Sequence, residues 1–207
     1  MTVLRGSRSP LIIFDGQSLN DNPYAAGTGY AFLLCQNLKI PGNNTASPLQ
    51  AWIGGIAWLQ LDDSFGTRVA PYLKAAPVVM YHMMGGTTDL ALTASGLTVY
   101  QRMRDQAITA RAAGATYVSA ATISTWENIT VLAEAARVDA NSRIVADADG
   151  AFDDSIDLTP TPGAGFNDAA SGYFSLIEAP NRTHWNNTGR NAAVAIAEPI
   201  IRARLGL

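Results

Sequence analysis

Short apolar runs alternate along the chain with amphipathic segments, and this alternation predicts an α/β fold. The runs are short enough to be buried parallel strands, and several carry β-branched residues and end at glycine or proline. The strand patterns lie at residues 11–14, 51–53, 77–84, 116–123 and 155–158. Helices between such strands favour parallel βαβ units and a sheet covered on both faces.

The helical patterns are separated by residues that end or bend a helix. From Leu97 to Ala113 apolar positions recur at a spacing of three and four residues, and Gly114 follows as a C-terminal stop. In the last helical segment Pro199 predicts a kink or a restart. The helical patterns cover residues 27–38, 97–113, 128–148 and 188–205.

Polar groups follow two of the predicted strands at their carboxyl ends. The sequence DGQSL places Ser18 in a turn that Gly16 permits, and GGTTD places Gly86 and Thr88 after the strand at 77–84. Functional groups of open parallel sheets collect beyond these strand ends, so we expect the two loops to meet. Ser18 taken alone could equally be a turn or helix-capping residue.

The chain contains two histidines, and their surroundings differ. His184 lies in NRTHWNNTG, just before the last predicted helix, where it could be a general base or an exposed loop residue. His82 lies inside the apolar run MYHMM, which favours an interior position. Cys35, the single cysteine, lies in the apolar run AFLLCQNL with no base nearby, which favours a core residue over a nucleophile.

Length, composition and charge exclude several classes of protein. The 207 residues are 48% hydrophobic and 15% charged, which predicts one globular domain over 1–207. A net charge of −3 without a basic cluster argues against a nucleic-acid partner. No apolar run is long enough to span a bilayer or to form a signal-peptide core, so a cytoplasmic or virion-associated protein is expected. The sequence shows no metal-ligand cluster and calls for no cofactor.

The order of the three polar blocks resembles that of the SGNH/GDSL-type serine hydrolases, over nearly the whole chain. GQSL is similar to a variant of the GDSL block found in carbohydrate O-acetylesterases of that superfamily. The resemblance implies a three-layer α/β/α fold with a flavodoxin-like parallel sheet of about five strands. It also implies that Ser18 is the nucleophile and His184 its base.

The same resemblance assigns the remaining site residues. The oxyanion hole would consist of the Ser18 N–H group, the Thr88 side chain and a glycine N–H group of WIGGIAW, either Gly55 or, failing that, Gly54. Gly86 and Asp89 would support the loop that carries Thr88.

Two positions depart from the family pattern. Thr88 replaces the oxyanion-hole asparagine, and loss of one such donor costs about 3 to 4 kcal/mol in known enzymes. Asn181 replaces the aspartate that orients the histidine, and an asparagine accepts the imidazole N–H without supplying a charge. Asp168 and Glu178, in the loop before His184, are alternative partners of the imidazole.

Two functional hypotheses follow. The first is an esterase that removes short acyl or O-acetyl groups from a small-molecule or carbohydrate ester. The second, based on the departures at Thr88 and Asn181, is a catalytically weakened module that binds glycan or serves a structural role, for example in a phage particle. A homo-oligomer or a larger assembly is compatible with either. Several aromatic residues near the predicted loop ends could form a sugar-stacking wall or pack in the core: Tyr24, Trp52, Trp58, Trp126 and Trp185.

Overall fold

Five parallel strands form the central sheet of the protein. The computed structural model describes residues 10–20, 29–40, 44–45, 47–159, 165–180 and 182–207. The strands of the sheet run in the order β4-β1-β5-β6-β7, and β2 and β3 form a separate antiparallel pair. Their bounds are β1 Leu11–Gly16, β2 Lys39–Ile40, β3 Asn44–Thr45, β4 Ser47–Gln50, β5 Val79–Met84, β6 Tyr117–Ala121 and β7 Asp154–Ile156.

Helices cover both faces of this sheet. Three of the longer helices begin at residues whose side chains accept a backbone N–H of the first turn: Ser95, Thr130 and Asn186. The helices are α1 Tyr30–Asn37, α2 Trp58–Arg68, α3 Thr87–Ala91, α4 Gly96–Ala113, α5 Val131–Ala146 and α6 Asn187–Leu205. The arrangement is the three-layer α/β/α fold that the sequence predicts.

Alternating side chains of the strands divide the core into two halves. In β1, Ile12 and Phe14 pack with α1 and α6, whereas Ile13 packs on the opposite face with α2, α4 and α5. All three side chains are fully buried. Burial on both faces explains why β1 appears in the sequence as a continuous apolar run rather than an alternating one.

The structure differs from the sequence predictions at three elements. Residues 51–53 are not a strand; the edge strand is β4, which precedes them. The sequence pattern did not indicate β4 because it contains Pro48, a residue that a strand tolerates at a sheet edge. Helix α2 was not predicted, since its apolar positions are few and polar residues dominate it. Of the kink or restart predicted at Pro199, the restart does not occur: α6 is one helix through this exposed proline, because packing of its long apolar face outweighs one missing hydrogen bond.

The register of the sheet brings the three loops of the site together. Gly16, the last residue of β1, pairs with Met84, the last residue of β5, so the loops that follow these strands are neighbours. On the other side of β1, the backbone N–H of Ile53 donates to the carbonyl of Gly16 at 3.2 Å. This contact leads the chain after β4 directly to the same edge of the sheet.

Candidate active site

Ser18 lies on a tight turn that neighbouring backbone groups hold in place. Gly16 has φ +123°, and a Cβ atom at this position would lie 2.0 Å from the carbonyl oxygen of Met84. The backbone N–H of Gln17 donates to that same carbonyl at 3.1 Å. The buried side-chain amide of Asn20 donates to the carbonyls of Asp15 and Gln17 at 3.2 and 3.3 Å. The turn therefore presents Ser18, which is partly exposed, in one fixed position.

The imidazole of His184 reaches this serine from the other end of the chain. Nε2 of His184 lies 2.6 Å from Oγ of Ser18, although 166 positions separate the two residues. The loop is anchored by the N–H of Ser175, which donates to the carbonyl of His184 at 2.9 Å, and by Asn186, whose side chain caps α6. The distance is within the range expected for a nucleophile and its general base.

A carboxylate contacts the far side of the same imidazole. Oε1 of Glu178 is hydrogen-bonded to Nδ1 of His184, and Oε2 accepts the backbone N–H groups of Thr183 and His184, both at 2.8 Å. The side chains of Glu178 and His184 are 12% and 19% exposed. Glu178 is thus the acid that lies against the imidazole of His184.

The other two candidates for this contact lie elsewhere or outside the described residues. The carboxylate of Asp168 accepts the backbone N–H of Ala170 at 2.8 Å and lines a separate cavity beside Trp126. Asn181 lies outside the described residues. The sequence signal for Glu178 was an acid six residues before His184, a spacing that differs from the Asp-x-x-His of the family pattern.

Ser18 and His184 both line a cavity of about 410 Å³. Both glycines of WIGGIAW line it, but a Cβ on Gly54 would lie 3.5 Å from Cβ of Ser18, whereas one on Gly55 would have no neighbour within 4 Å. Gly55, the glycine predicted first as an oxyanion donor, thus lines the cavity together with Gly54, and Gly54 is the one at which a Cβ would contact Ser18. The lining consists of Gln17, Ser18, Leu19, Gly54, Gly55, Thr87, Thr88, Thr183 and His184.

Several donors face the cavity with no competing bond among the described residues. The backbone N–H groups of Ser18, Gly54 and Gly55 form no hydrogen bond within that part of the chain. The hydroxyl of Thr88 forms none there either, and the hydroxyl of Thr87 is fully buried without a described partner. The three N–H groups and the Thr88 hydroxyl are available as donors to an oxyanion.

Beneath the cavity, Gln17 and Asp89 connect the three loops. Gln17 is 2% exposed and forms hydrogen bonds with the loop after β4, with the start of α3 and with Asp89. Asp89 is 1% exposed, accepts the backbone N–H of Trp58 at 3.0 Å, and forms an ion pair with Arg102 at 2.6 Å. Asp89 therefore connects Gln17 with the start of α2 and with α4. Gln17 was not among the site residues predicted from the sequence.

Gly86 supports the same loop through its backbone. It has φ +123°, and a Cβ atom there would lie 2.6 Å from Cδ1 of Ile123. Its N–H group donates to Oε1 of Gln17 at 3.1 Å. Only glycine meets both the backbone angle and the close approach at this position.

The interior carries further titratable groups that the sequence did not assign to the site. Asp15, fully buried, is hydrogen-bonded to Arg68 and to the hydroxyl of Tyr81, and burial raises the pKa of its carboxyl. His82 contacts the hydroxyls of Tyr30 and Ser119 at 3.2 and 2.8 Å, and burial lowers the pKa of its imidazole to about 3.

Both residues predicted to lie in the core do so. His82 is a neutral interior residue, and Cys35 is buried, which raises the pKa of its thiol. A thiol that stays protonated is a poor nucleophile.

The aromatic residues do not form one wall around the site. Trp58 and Trp185 are buried in the core and cannot stack against a ligand. Trp52 packs against the core, while Trp126 lines a different cavity of about 670 Å³ between α3 and α5. Tyr24 lies outside the described residues.

The described part of the chain contains no cluster of histidine, cysteine or acidic side chains arranged to hold a metal ion. Within the same residues, no helix combines the length and the apolar character that crossing a membrane requires.

Comparison with solved structures identifies the fold as that of the SGNH/GDSL hydrolases. The TesA structure superposes with a TM-score of 0.66 at 15% identity, over 93% of this chain and 98% of that one. A lipolytic protein of the G-D-S-L family from Veillonella parvula gives 0.62 at 16% identity, over 93% and 98%. A mutant of Axe2, an acetyl-xylooligosaccharide esterase from Geobacillus Stearmophilus, gives 0.67 at 14% identity, over 95% and 94%.

Comparisons at the level of sequence give no match. No family model matches the chain, and no curated protein matches it.

Proposed function

We propose that this protein is a serine esterase that hydrolyses short acyl esters through a covalent acyl-serine. The observation that carries the proposal is the hydrogen-bonded series from Ser18 to His184 to Glu178, with an Oγ to Nε2 distance of 2.6 Å. A nucleophile, a base and a group that orients the base are the three parts that such catalysis requires. The SGNH/GDSL fold is compatible with this chemistry.

In the proposed first step, Nε2 of His184 takes the proton of Ser18 while Oγ attacks the ester carbonyl. The carbonyl oxygen becomes an oxyanion, which accepts hydrogen bonds from the N–H groups of Ser18 and Gly54 and from the Thr88 hydroxyl. Collapse of the tetrahedral intermediate breaks the ester C–O bond, and the imidazolium returns the proton to the departing alcohol. The carboxylate of Glu178 stabilises the imidazolium from the moment it takes the serine proton until it returns that proton to the alcohol.

In the second step, water replaces the alcohol. His184 removes a proton from the water, the resulting hydroxide attacks the acyl-serine carbonyl, and the same donors bind the second oxyanion. The C–O bond to Ser18 breaks, and the imidazolium protonates the serine oxygen. The products are a carboxylic acid and the free enzyme, and no cofactor enters the cycle.

The size and lining of the cavity favour a substrate with a small acyl group. Its volume is about 410 Å³, and glycine and threonine dominate its lining. Among the lining residues that the structure describes, none is a lysine or arginine that could hold an acidic substrate. One solved structure of the same fold is an acetyl-xylooligosaccharide esterase, which supports an O-acetyl group on a carbohydrate as the substrate. We therefore propose short-chain, uncharged esters, with carbohydrate acetates among them.

The alternative, a weakened glycan-binding or structural module, rested on the residues at positions 88 and 181. Glu178 supplies the charge that Asn181 lacks, and the Thr88 hydroxyl lines the cavity. Both observations favour the esterase.

Hydrolysis of p-nitrophenyl acetate by the wild type and by Ser18→Ala tests the proposal. We expect release of p-nitrophenol by the wild type and a rate for Ser18→Ala that is lower by at least about 10³-fold. Ser142→Ala, which changes an exposed serine of α5, should match the wild type. A fluorophosphonate should label the wild type and the control but not Ser18→Ala. Equal rates for the wild type and Ser18→Ala would remove the hydrolase assignment.

A further inference from the structure

We infer that Gln17 is a positioning residue that sets the spacing of the oxyanion-hole donors around Ser18. This inference rests on the proposed function and adds to it a residue that touches neither the reacting atoms nor the imidazole. Gln17 directly precedes Ser18, is almost fully buried, and its side-chain amide is bonded to the loop that carries Gly54 and to the loop that carries Thr88.

The oxygen of the amide holds the loop of Thr88. Oε1 of Gln17 accepts the backbone N–H of Gly86 at 3.1 Å and that of Thr88 at 3.2 Å. These groups lie at the start of α3, where backbone N–H groups lack partners within the helix. Gln17 thus caps α3 from a distant part of the chain, and the cap fixes Thr88 relative to the serine.

The nitrogen of the amide holds the loop of Gly54. Nε2 of Gln17 donates to the carbonyl of Ile56 at 2.9 Å and to Oδ2 of Asp89 at 3.3 Å. Ile56 lies two residues after Gly54, where an added Cβ atom would lie 3.5 Å from Cβ of Ser18. A single side chain therefore ties the Ser18 turn to both loops that supply oxyanion donors.

This arrangement explains why position 17 carries an amide rather than a carboxylate. One end of the side chain must accept two N–H groups, and the other must donate to a carbonyl and a carboxylate. An ionised carboxylate could accept but not donate, and it would lie against the buried charge of Asp89. The glutamine of GQSL is therefore matched to Asp89 and Ile56.

Gln17→Glu tests the inference because it keeps the size of the side chain and makes the donor depend on pH. When protonated, the introduced carboxyl can still donate to Ile56 or Asp89, whereas its ionised form repels both. Ionisation requires rising pH, so activity relative to the wild type should be highest in acid and fall as pH rises. We expect kcat within about 10-fold of the wild type near about pH 5 and at least ~100-fold lower near about pH 8.

Gln106→Glu is the matched control. Gln106 is also almost fully buried, and its side-chain amide donates to the hydroxyl of Tyr81 at 3.2 Å, away from the cavity. Its variant should lose stability but keep a constant ratio of kcat to the wild type across the same pH range. Taking ratios to the wild type cancels any pH dependence that the wild type and the variants share. A constant ratio for Gln17→Glu would overturn the inference.

Gln17→Met keeps the test decisive if Gln17→Glu does not fold at high pH. Methionine is similar in length but forms none of the four hydrogen bonds, so kcat should fall at every pH while KM stays unchanged. A Gln17→Met enzyme that is folded by circular dichroism and has wild-type kcat would overturn the inference. These outcomes are distinct from failure of the proposed function, in which the wild type itself would not exceed Ser18→Ala.

Discussion

Glu178 and His184 are joined by both oxygens of one carboxylate. Oε1 is hydrogen-bonded to Nδ1 of the imidazole, and Oε2 accepts the backbone N–H of the same histidine at 2.8 Å. The carboxylate therefore fixes the ring and the backbone that carries it. Since Nδ1 is the donor to Glu178, Nε2 is left as the acceptor that faces Ser18.

Glu178→Gln should lower kcat for p-nitrophenyl acetate by roughly 10³- to 10⁴-fold. The amide keeps the size of the side chain but removes the charge that stabilises the imidazolium in the transition state. KM should change little, because this interaction strengthens only when the imidazole is protonated. Steady-state kinetics at neutral pH measures both parameters.

Two variants serve as controls for this prediction. Asp168→Asn removes the other acid of the loop, whose carboxylate contacts Ala170, and Asn181→Ala removes the residue at the position of the family aspartate. Both should keep kcat close to the wild-type value. A large loss in either variant together with an active Glu178→Gln would show that another residue orients His184.

Thr88→Val should lower kcat by about 10²-fold, because it removes one oxyanion donor while keeping the shape of the side chain. Thr88→Asn, which introduces the residue of the family pattern and keeps a donor at this position, should have a kcat close to that of the wild type. Thr87→Val should have little effect on kcat, since the Thr87 hydroxyl is fully buried. If Thr87→Val proves the slower enzyme, then the hydroxyl that binds the oxyanion belongs to Thr87.

Asp62→Asn should stabilise the protein at neutral pH. Burial, and next the charge of Asp15, raise the pKa of Asp62 from 3.8 to about 6, and its Oδ1 atom has no described partner. A carboxyl with a raised folded-state pKa binds its proton more tightly in the folded state than in the unfolded state. The wild-type protein therefore loses stability as pH rises from about 4 to 6. The variant should gain about 1 kcal/mol near about pH 7.5, after allowance for solvent screening, and nothing below about pH 4.

Urea unfolding of both proteins at these pH values measures the difference. A gain of the same size at both pH values would mean that the substitution acts through something other than ionisation.

His82 should make the fold sensitive to acid. Burial lowers the pKa of its imidazole from 6.5 to about 3, so between these values the unfolded chain binds a proton that the folded protein does not. Stability is therefore full above about pH 6.5 and falls with decreasing pH, by about 2 kcal/mol at about pH 5. His82→Gln should flatten this dependence between about pH 5 and pH 6.5. An unchanged slope of unfolding free energy against pH in the variant would exclude His82 as its source.

Much of the fold was predictable because the local hydrophobic pattern of a segment and its burial in the fold indicate the same element. The continuous apolar run of β1 and the regular spacing in α4 have one physical interpretation each, and both elements lie close to their predicted bounds. The edge strand β4 and helix α2 were missed, since an edge strand with a proline and a polar surface helix carry weak hydrophobic patterns.

Candidate chemistry was recognisable in the sequence at Ser18 and His184, because a strand-to-turn junction and the start of a helix leave local signatures. Their approach to 2.6 Å depends on the tertiary structure, as does the choice of Glu178 over Asp168. Loops have no periodicity, and which acid meets the imidazole depends on contacts across the fold. The sequence by itself thus determined the α/β layers and the order of the polar blocks. Only the tertiary structure decided which donors, carboxylate and amide surround the serine, because the pairing of β1 with β5 and contacts between distant loops bring them together.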